Sequence, residues 1–234
     1  MVPRRRTILE CWAIVVPGLE ELAVTELHAL GLAPGAVSAG GVSFTADAAG
    51  LFLANLQLRT VSRVIVRVAQ FRATAFHELE RLARGVPWER FVAPGASVRL
   101  RVTCRKSRLY HSDGVAERVA GAIATRVHDV TSGGTASDDE DSIAAAPSQL
   151  FLVRFERDVC TISADSSGEL LHRRGYRLAT AKAPLRETLA AAALLAMRWN
   201  GGVPMLDPMC GAGTIPIEAA LLARRIAPGQ ARAF

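Results

Sequence analysis

The stretch Leu206–Ala220, LDPMCGAGTIPIEAA, ends a short apolar run in an acidic residue, passes through Gly-x-Gly and opens into an apolar segment. Such a strand, turn and helix is the opening of a nucleotide-type binding site. Gly211 and Gly213 suit positive φ, or a ligand contact that a Cβ would block. The helix after them turns free N–H groups and its positive dipole end toward a ligand. Pro216 falls in the first turn of that helix, where proline is tolerated. A dinucleotide fingerprint needs a third glycine at 216, and a phosphate-cradling Gly-Lys-Ser/Thr is absent. NAD and ATP both lose ground, and a purely structural turn stays open on these residues alone.

Two further clusters carry chemistry. In RVTCRKSRLYHS, Arg101, Arg105, Lys106 and Arg108 stand beside Tyr110 and His111. Phosphates need the cations, and an unstacked base or ribose can use the ring. From Val98 to Arg126 seven basic residues face only Asp113 and Glu117, although a solvated strand edge reads the same way. In HRRGYR, His172 precedes Arg173, Arg174, Tyr176 and Arg177. RNA contact and a structural staple between neighbouring segments are both open there. His28, His77 and His128 have no evident partners and receive no role.

These residues need elements to position them. Residues 8–16 read as a strand behind a basic leader; Glu10 and Pro17-Gly18 argue against a secretion signal. Leu19, Leu22, Ala23, Leu27 and Leu30 share one helical face, with Gly31 as the stop. A pair of short strands around Gly40-Gly41, a helix from 48 to 59 and an alternating strand from 62 to 73 complete a β-α-β-β-α-β order. A second unit from Thr74 holds a helix, the strand SVRLRVTCR, and a helix with Val115, Val119, Ile123 and Val127 at helical spacing. Two strands, LFLVRFERD and VCTISADSS, follow. Before them, Thr131–Gln149, including the acidic run Asp138–Asp141, lacks periodicity and is expected to be a flexible, solvated loop. Beyond Gly168 come a basic connector, an alanine-rich helix from Pro184 to Gly201, and VPMLDP as a short buried strand.

Composition bounds the classes. The 234 residues are half hydrophobic, carry a net charge of +6, and hold four cysteines. Cys11, Cys104, Cys160 and Cys210 are too far apart for a C-x-x-C zinc site and fit a reducing cytosol. No apolar run is long enough to span a membrane. The positive charge favours a polyanionic partner.

The whole string LDPMCGAGTIPIEAA resembles motif I of class I S-adenosylmethionine-dependent methyltransferases. It is most similar to the D-P-M-C-G-S-G-T-x-x-I-E-A-A form of THUMP-containing RNA guanine-N2 methyltransferases, with Ala212 in place of serine. LHRRGYR and APLRETLAAA resemble that family's connector and first methyltransferase helix. KSRLYHSDGVAERV resembles its THUMP segment, and GLEELAVTEL with GGVSF its ferredoxin-like region. The resemblance implies an α+β chain with a ferredoxin-like region at 1–72 and a THUMP RNA-binding domain at 73–167. A basic connector at 168–185 and the start of an α/β Rossmann-like methyltransferase domain at 186–234 would follow. It implies S-adenosylmethionine as cofactor, bordered by Asp207, Pro208, Cys210, Gly211, Gly213 and Thr214. Glu218 either touches that site or packs, and Thr188 is a weaker candidate.

By the same resemblance the partner is structured RNA, 23S ribosomal RNA before tRNA, gripped by Arg101, Arg105, Lys106, Arg108, Tyr110 and His111. Arg173, Arg174, Tyr176 and Arg177 would add to that grip. The family's Asn/Asp-Pro-Pro-Tyr loop, which holds the target nitrogen, does not occur in these residues. No catalytic residue is therefore assigned, and the chain is expected to be the front part of a longer enzyme. The rival expectation is a non-catalytic RNA-binding module carrying a vestigial methyltransferase stub.

Overall fold

In the computed structural model, residues 7–135, 148–177 and 185–232 are described. They divide into two compact units. One joins the N-terminal residues to Ile65 with those from Glu169 onward, and the other is Val66–Gly168.

In the first unit, β1 (Leu9–Ile14) pairs antiparallel with β3 (Gly41–Ala46), which also pairs with β2 (Pro34–Ser38). Alternation along and just beyond β1 buries Cys11, Ala13 and Val15. Those residues form one face of the strand, and α1 (Glu20–Ala29) contributes Ala23 and Leu27 to the same unit's core. At Gly41 there is no room for a side chain: an added Cβ would lie 2.2 Å from Trp12 Nε1 and 2.7 Å from the Ala13 carbonyl. Glycine is what lets β3 pass beneath the indole. Helix α2 (Ala48–Gln57) is capped by Asp47, whose carboxylate accepts from the Gly50 N–H at 2.9 Å. After it, Glu26 accepts from the backbone N–H groups of Arg59 (2.7 Å) and Thr60 (3.0 Å) and from the Thr60 hydroxyl (2.5 Å). The chain then enters β4 (Arg63–Arg72), which gives its first residues to this unit and the rest to the second.

The second unit orders its strands β4-β8-β7-β5-β6. Here β5 is Ser97–Arg105, β6 Thr131–Thr135, β7 Gln149–Glu156 and β8 Val159–Asp165. Parallel pairing joins β5 to β6 and β7, and β7 to β8 is an antiparallel hairpin. Helices α3 (Phe76–Arg84) and α4 (Ser112–Ala124) pack against each other. The core between helices and sheet includes Leu79, Val115, Val119, Ile123, Phe151, Phe155 and Ile162. Trp88 anchors it: fully buried, it donates from Nε1 to the Ala83 carbonyl at 2.8 Å and stands edge-on to Phe151. Helix α3 is held at its start by Glu78, which accepts from the N–H and hydroxyl of Thr74.

Three expectations need correction. Thr131–Thr135 is not loop but strand β6, built on backbone pairing with β5. The acidic run Asp138–Asp141 lies outside the described residues. The alanine-rich helix is confined to α5 (Glu187–Ala196); the chain turns beyond it, with Arg198 at φ 53° and Gly201 at φ 86°. Finally, VPMLDP forms no strand, and Leu206 is 89% exposed. A strand exists through its ladder, and among the described residues none lies alongside this segment to complete one. The residues from Glu169 onward therefore contribute α5 and α6 (Thr214–Ala223), packed together, to the first unit.

Candidate cofactor loop and basic surface

The glycine loop belongs to the first unit. Asp207 folds its carboxylate back to accept from the Met209 N–H at 3.0 Å. Gly211 and Gly213 both take positive φ, 51° and 75°, and the Gly213 N–H closes a turn on the Cys210 carbonyl at 2.7 Å. The conformation expected of both glycines is present. Helix α6 starts directly after Gly213, and no side chain caps its first turn. Pro208, Cys210 and Gly211 are exposed, whereas Asp207 and Gly213 are half-buried.

Behind the loop lies a network that sequence reasoning divided between two roles. Glu218 faces inward from α6 and is 1% exposed. It forms a buried ion pair with Arg174 and accepts from the Tyr176 hydroxyl at 3.0 Å. Arg174 also donates to the Arg59 carbonyl at 2.6 Å, and Arg59 donates to the Ile226 carbonyl at 2.6 Å. Arg177 donates to Glu187 (2.6 Å), to the Leu185 carbonyl (2.5 Å) and to Thr214 Oγ1 (3.2 Å). The connector thus fastens the start and the middle of α6 and the start of α5. These bonds are those of a staple. Arg174, 3% exposed and spent on Glu218 and a carbonyl, offers nothing to an RNA phosphate and leaves the RNA-binding set. Arg173 is half-buried, and Thr188 is buried in α5.

Burial sets the electrostatics here. It raises the Glu218 carboxyl above the ordinary carboxylate range, against the opposing pull of Arg174 and the Tyr176 hydroxyl. Burial, then the Glu218 charge, raises the Tyr176 phenol. Arg59 and Glu187 escaped sequence reasoning. Their partners, Arg174 and Arg177, lie far along the chain or in a connector without periodicity, so no local pattern linked them.

The basic cluster belongs to the second unit. Arg105, Lys106, Arg108, Tyr110 and His111 are exposed at the end of β5 and the turn after it, while Arg101 is half-buried along the strand. Lys106 has φ 47°. Ser107 ties the turn by donating to the Arg105 carbonyl at 2.8 Å. Tyr110 is 68% exposed and lies against His111 with ring centroids 4.0 Å apart. Cations and an aromatic pair are therefore presented together.

Three domain families match the chain in succession. They are an RlmL ferredoxin-like domain over residues 10–65, a THUMP domain over 73–165, and an RMKL-like methyltransferase domain over 174–234. The chain is 35% identical over 232 residues to the ribosomal RNA large subunit methyltransferase K/L of Syntrophotalea carbinolica, covering 97% of this chain and 32% of that one. The crystal structure of a predicted N6-adenine-specific DNA methylase from Listeria monocytogenes is 34% identical with a TM-score of 0.85. The match covers 97% of this chain and 58% of that one. The structure of SMU.472, described as a putative methyltransferase complexed with SAH, is 28% identical with a TM-score of 0.83, covering 99% of this chain and 59% of that one. The chain spans a third to just over half of the curated relatives it matches. With all three domains in this order, it belongs to the RlmK/L-like, THUMP-containing methyltransferases.

Proposed function

We propose that this chain is the RNA-gripping and cofactor-approaching part of an enzyme that methylates RNA with S-adenosylmethionine, at guanine N2 of 23S ribosomal RNA. The observation that carries the reading is the loop at Gly211 and Gly213. Both glycines hold positive φ, and no atom closer than 3.7 Å would meet a Cβ at either. An uncapped helix start lies immediately behind. The residues fit the cofactor as far as they reach, with Asp207, Pro208, Cys210 and Thr214 flanking the turn. The bound cofactor supplies an activated methyl group. The chain's own part is to present backbone N–H groups at the α6 start, held still by Arg177 on Thr214.

RNA is favoured over DNA by the THUMP match and by the ribosomal RNA relative. The basic turn at Arg105, Lys106 and Arg108, with Tyr110 and His111, would grip phosphates and an unstacked base. No helix among the described residues is long and apolar enough to cross a membrane, and we place the reaction in the cytosol. The test is methyl transfer from labelled cofactor to total RNA by the full-length protein, with the modified base mapped. Label at guanine N2 of 23S RNA supports the proposal, and label on DNA adenine or on no nucleic acid refutes it.

One observation favours a second reading, a non-catalytic RNA-binding module. Leu206 and Met209, which flank the loop, are each 89% exposed, as in a stub rather than a closed site. RNA binding without any methyl transfer is the outcome that selects it.

A further inference from the structure

The β7–β8 hairpin turns on two residues, Arg157 (φ 50°) and Asp158 (φ 64°). Positive φ at both positions of a two-residue loop is the type I′ geometry, which asparagine and glycine adopt readily. Arginine at its first position is disfavoured, and such backbone cost is retained where the residue serves a purpose. Lys106, also at positive φ, lies in the turn that this hairpin contacts.

The contacts run in both directions. The Arg157 N–H donates to the Arg105 carbonyl at 3.2 Å, and the Asp158 N–H donates to Ser107 Oγ at 3.0 Å. The Asp158 carboxylate accepts from the Arg108 N–H at 2.8 Å and lies 3.8 Å from the Arg72 guanidinium. Its carbonyl accepts from the Ala73 N–H at 3.0 Å. Asp158 therefore ties together the end of β4, the turn after β5 and its own hairpin, three segments distant in sequence. Around it Arg72, Arg105, Lys106, Arg108 and Arg157 are all exposed. Beside them Glu156 is occupied by Arg154 at 2.9 Å.

Resting on the proposal that this unit grips RNA, we infer that Arg72 and Arg157 join Arg105, Lys106 and Arg108 in one phosphate-binding surface. Asp158 is the positioning residue that assembles it. A second anion sits in the middle of a cationic patch because its hydrogen bonds, rather than its charge, are what the surface needs. The exposed Tyr110–His111 pair that follows the same turn points to nucleic acid rather than a lipid surface.

The test measures binding of a labelled RNA hairpin to the full chain across a salt series. Arg72→Ala and Arg157→Asn should each weaken binding severalfold and lower the log–log salt slope by about 0.7–0.9. Arg157→Asn should at the same time raise the melting temperature, because it relaxes the turn; a merely structural arginine would not separate the two readouts. Asp158→Gly keeps the backbone conformation but removes an anion, so electrostatics alone predicts tighter binding, whereas loss of positioning weakens it. Asp158→Asn, which retains an acceptor for the Arg108 N–H, should restore most of the affinity lost in the glycine variant. Unchanged slope in both arginine variants, or tighter binding by Asp158→Gly, overturns the inference while leaving RNA binding intact. Failure of the unaltered chain to bind RNA overturns the inference together with the functional proposal beneath it.

Discussion

Glu218 is the residue on which the sequence stood undecided, and its surroundings explain why. Its partners, Arg174 and Tyr176, lie some forty residues earlier in the chain, and no local periodicity links them. Breaking such a pair strands a buried charge: Glu218→Gln should cost about 3–5 kcal/mol, read from the urea midpoint at unchanged m. Replacing both, Arg174→Met with Glu218→Leu, should recover much of that loss, because burial already disfavours the carboxylate. Glu20 illustrates the opposite sign. Its carboxylate accepts from the Gly18 and Gly40 N–H groups, and these bonds hold its pKa below the ordinary 4.5. The stability it contributes is present above the unfolded value and is lost as pH falls through the lowered one. Glu20→Gln should therefore lower stability at neutral pH and flatten the acid limb of a stability profile, with the slope above neutrality unchanged. The thiols separate by burial as well: Cys11 and Cys160 are pushed up to about 12 by desolvation, whereas Cys210 lies exposed in the glycine loop. A maleimide should label Cys210 in the folded chain and reach Cys11 and Cys160 only after unfolding, as peptide mapping would record.

Elements were legible where a pattern repeats. The leucine face of α1 and the alternations along β4 and β5 each gave several independent signals, and all three elements stand where the pattern put them. β6 was not legible, because a strand of threonine, serine and glycine has no apolar face and exists only through its neighbour. VPMLDP failed in the opposite way. Its composition is that of a buried strand, yet composition cannot supply the ladder partners. The glycine conformations at 211 and 213 were legible, since the Gly-x-Gly spacing encodes them locally. Gly41 was noticed only as a turn residue, while its actual constraint is the Trp12 ring lying across it. Gly41→Ala should push the indole or the strand aside and cost about 1–3 kcal/mol, visible as a lower melting temperature and altered tryptophan emission.

For the whole molecule, the exposed apolar side chains are informative. Met197, Val203, Leu206 and Met209 are each more than 60% exposed in the part of the chain that carries the glycine loop. A small-molecule site normally encloses ~70–90% of its ligand, and an open loop of this kind encloses little. Titration of S-adenosylmethionine into the 234-residue chain should therefore give binding weaker than micromolar, less than about 8 kcal/mol. An apolar dye should bind the same chain through the exposed side chains. A separate consequence follows from the division of the chain, in which one unit is made from both ends and the other from the uninterrupted stretch between them. As the polypeptide leaves the ribosome, the continuous unit is complete first. The earlier-made strands β1–β3 and helices α1 and α2 must wait for residues beyond 169, among them Arg174 for the Arg59 carbonyl and Gly229 for the Leu56 carbonyl. Order of synthesis and order of completion are thus reversed between the two units, and the segment made earlier spends longer without its final partners.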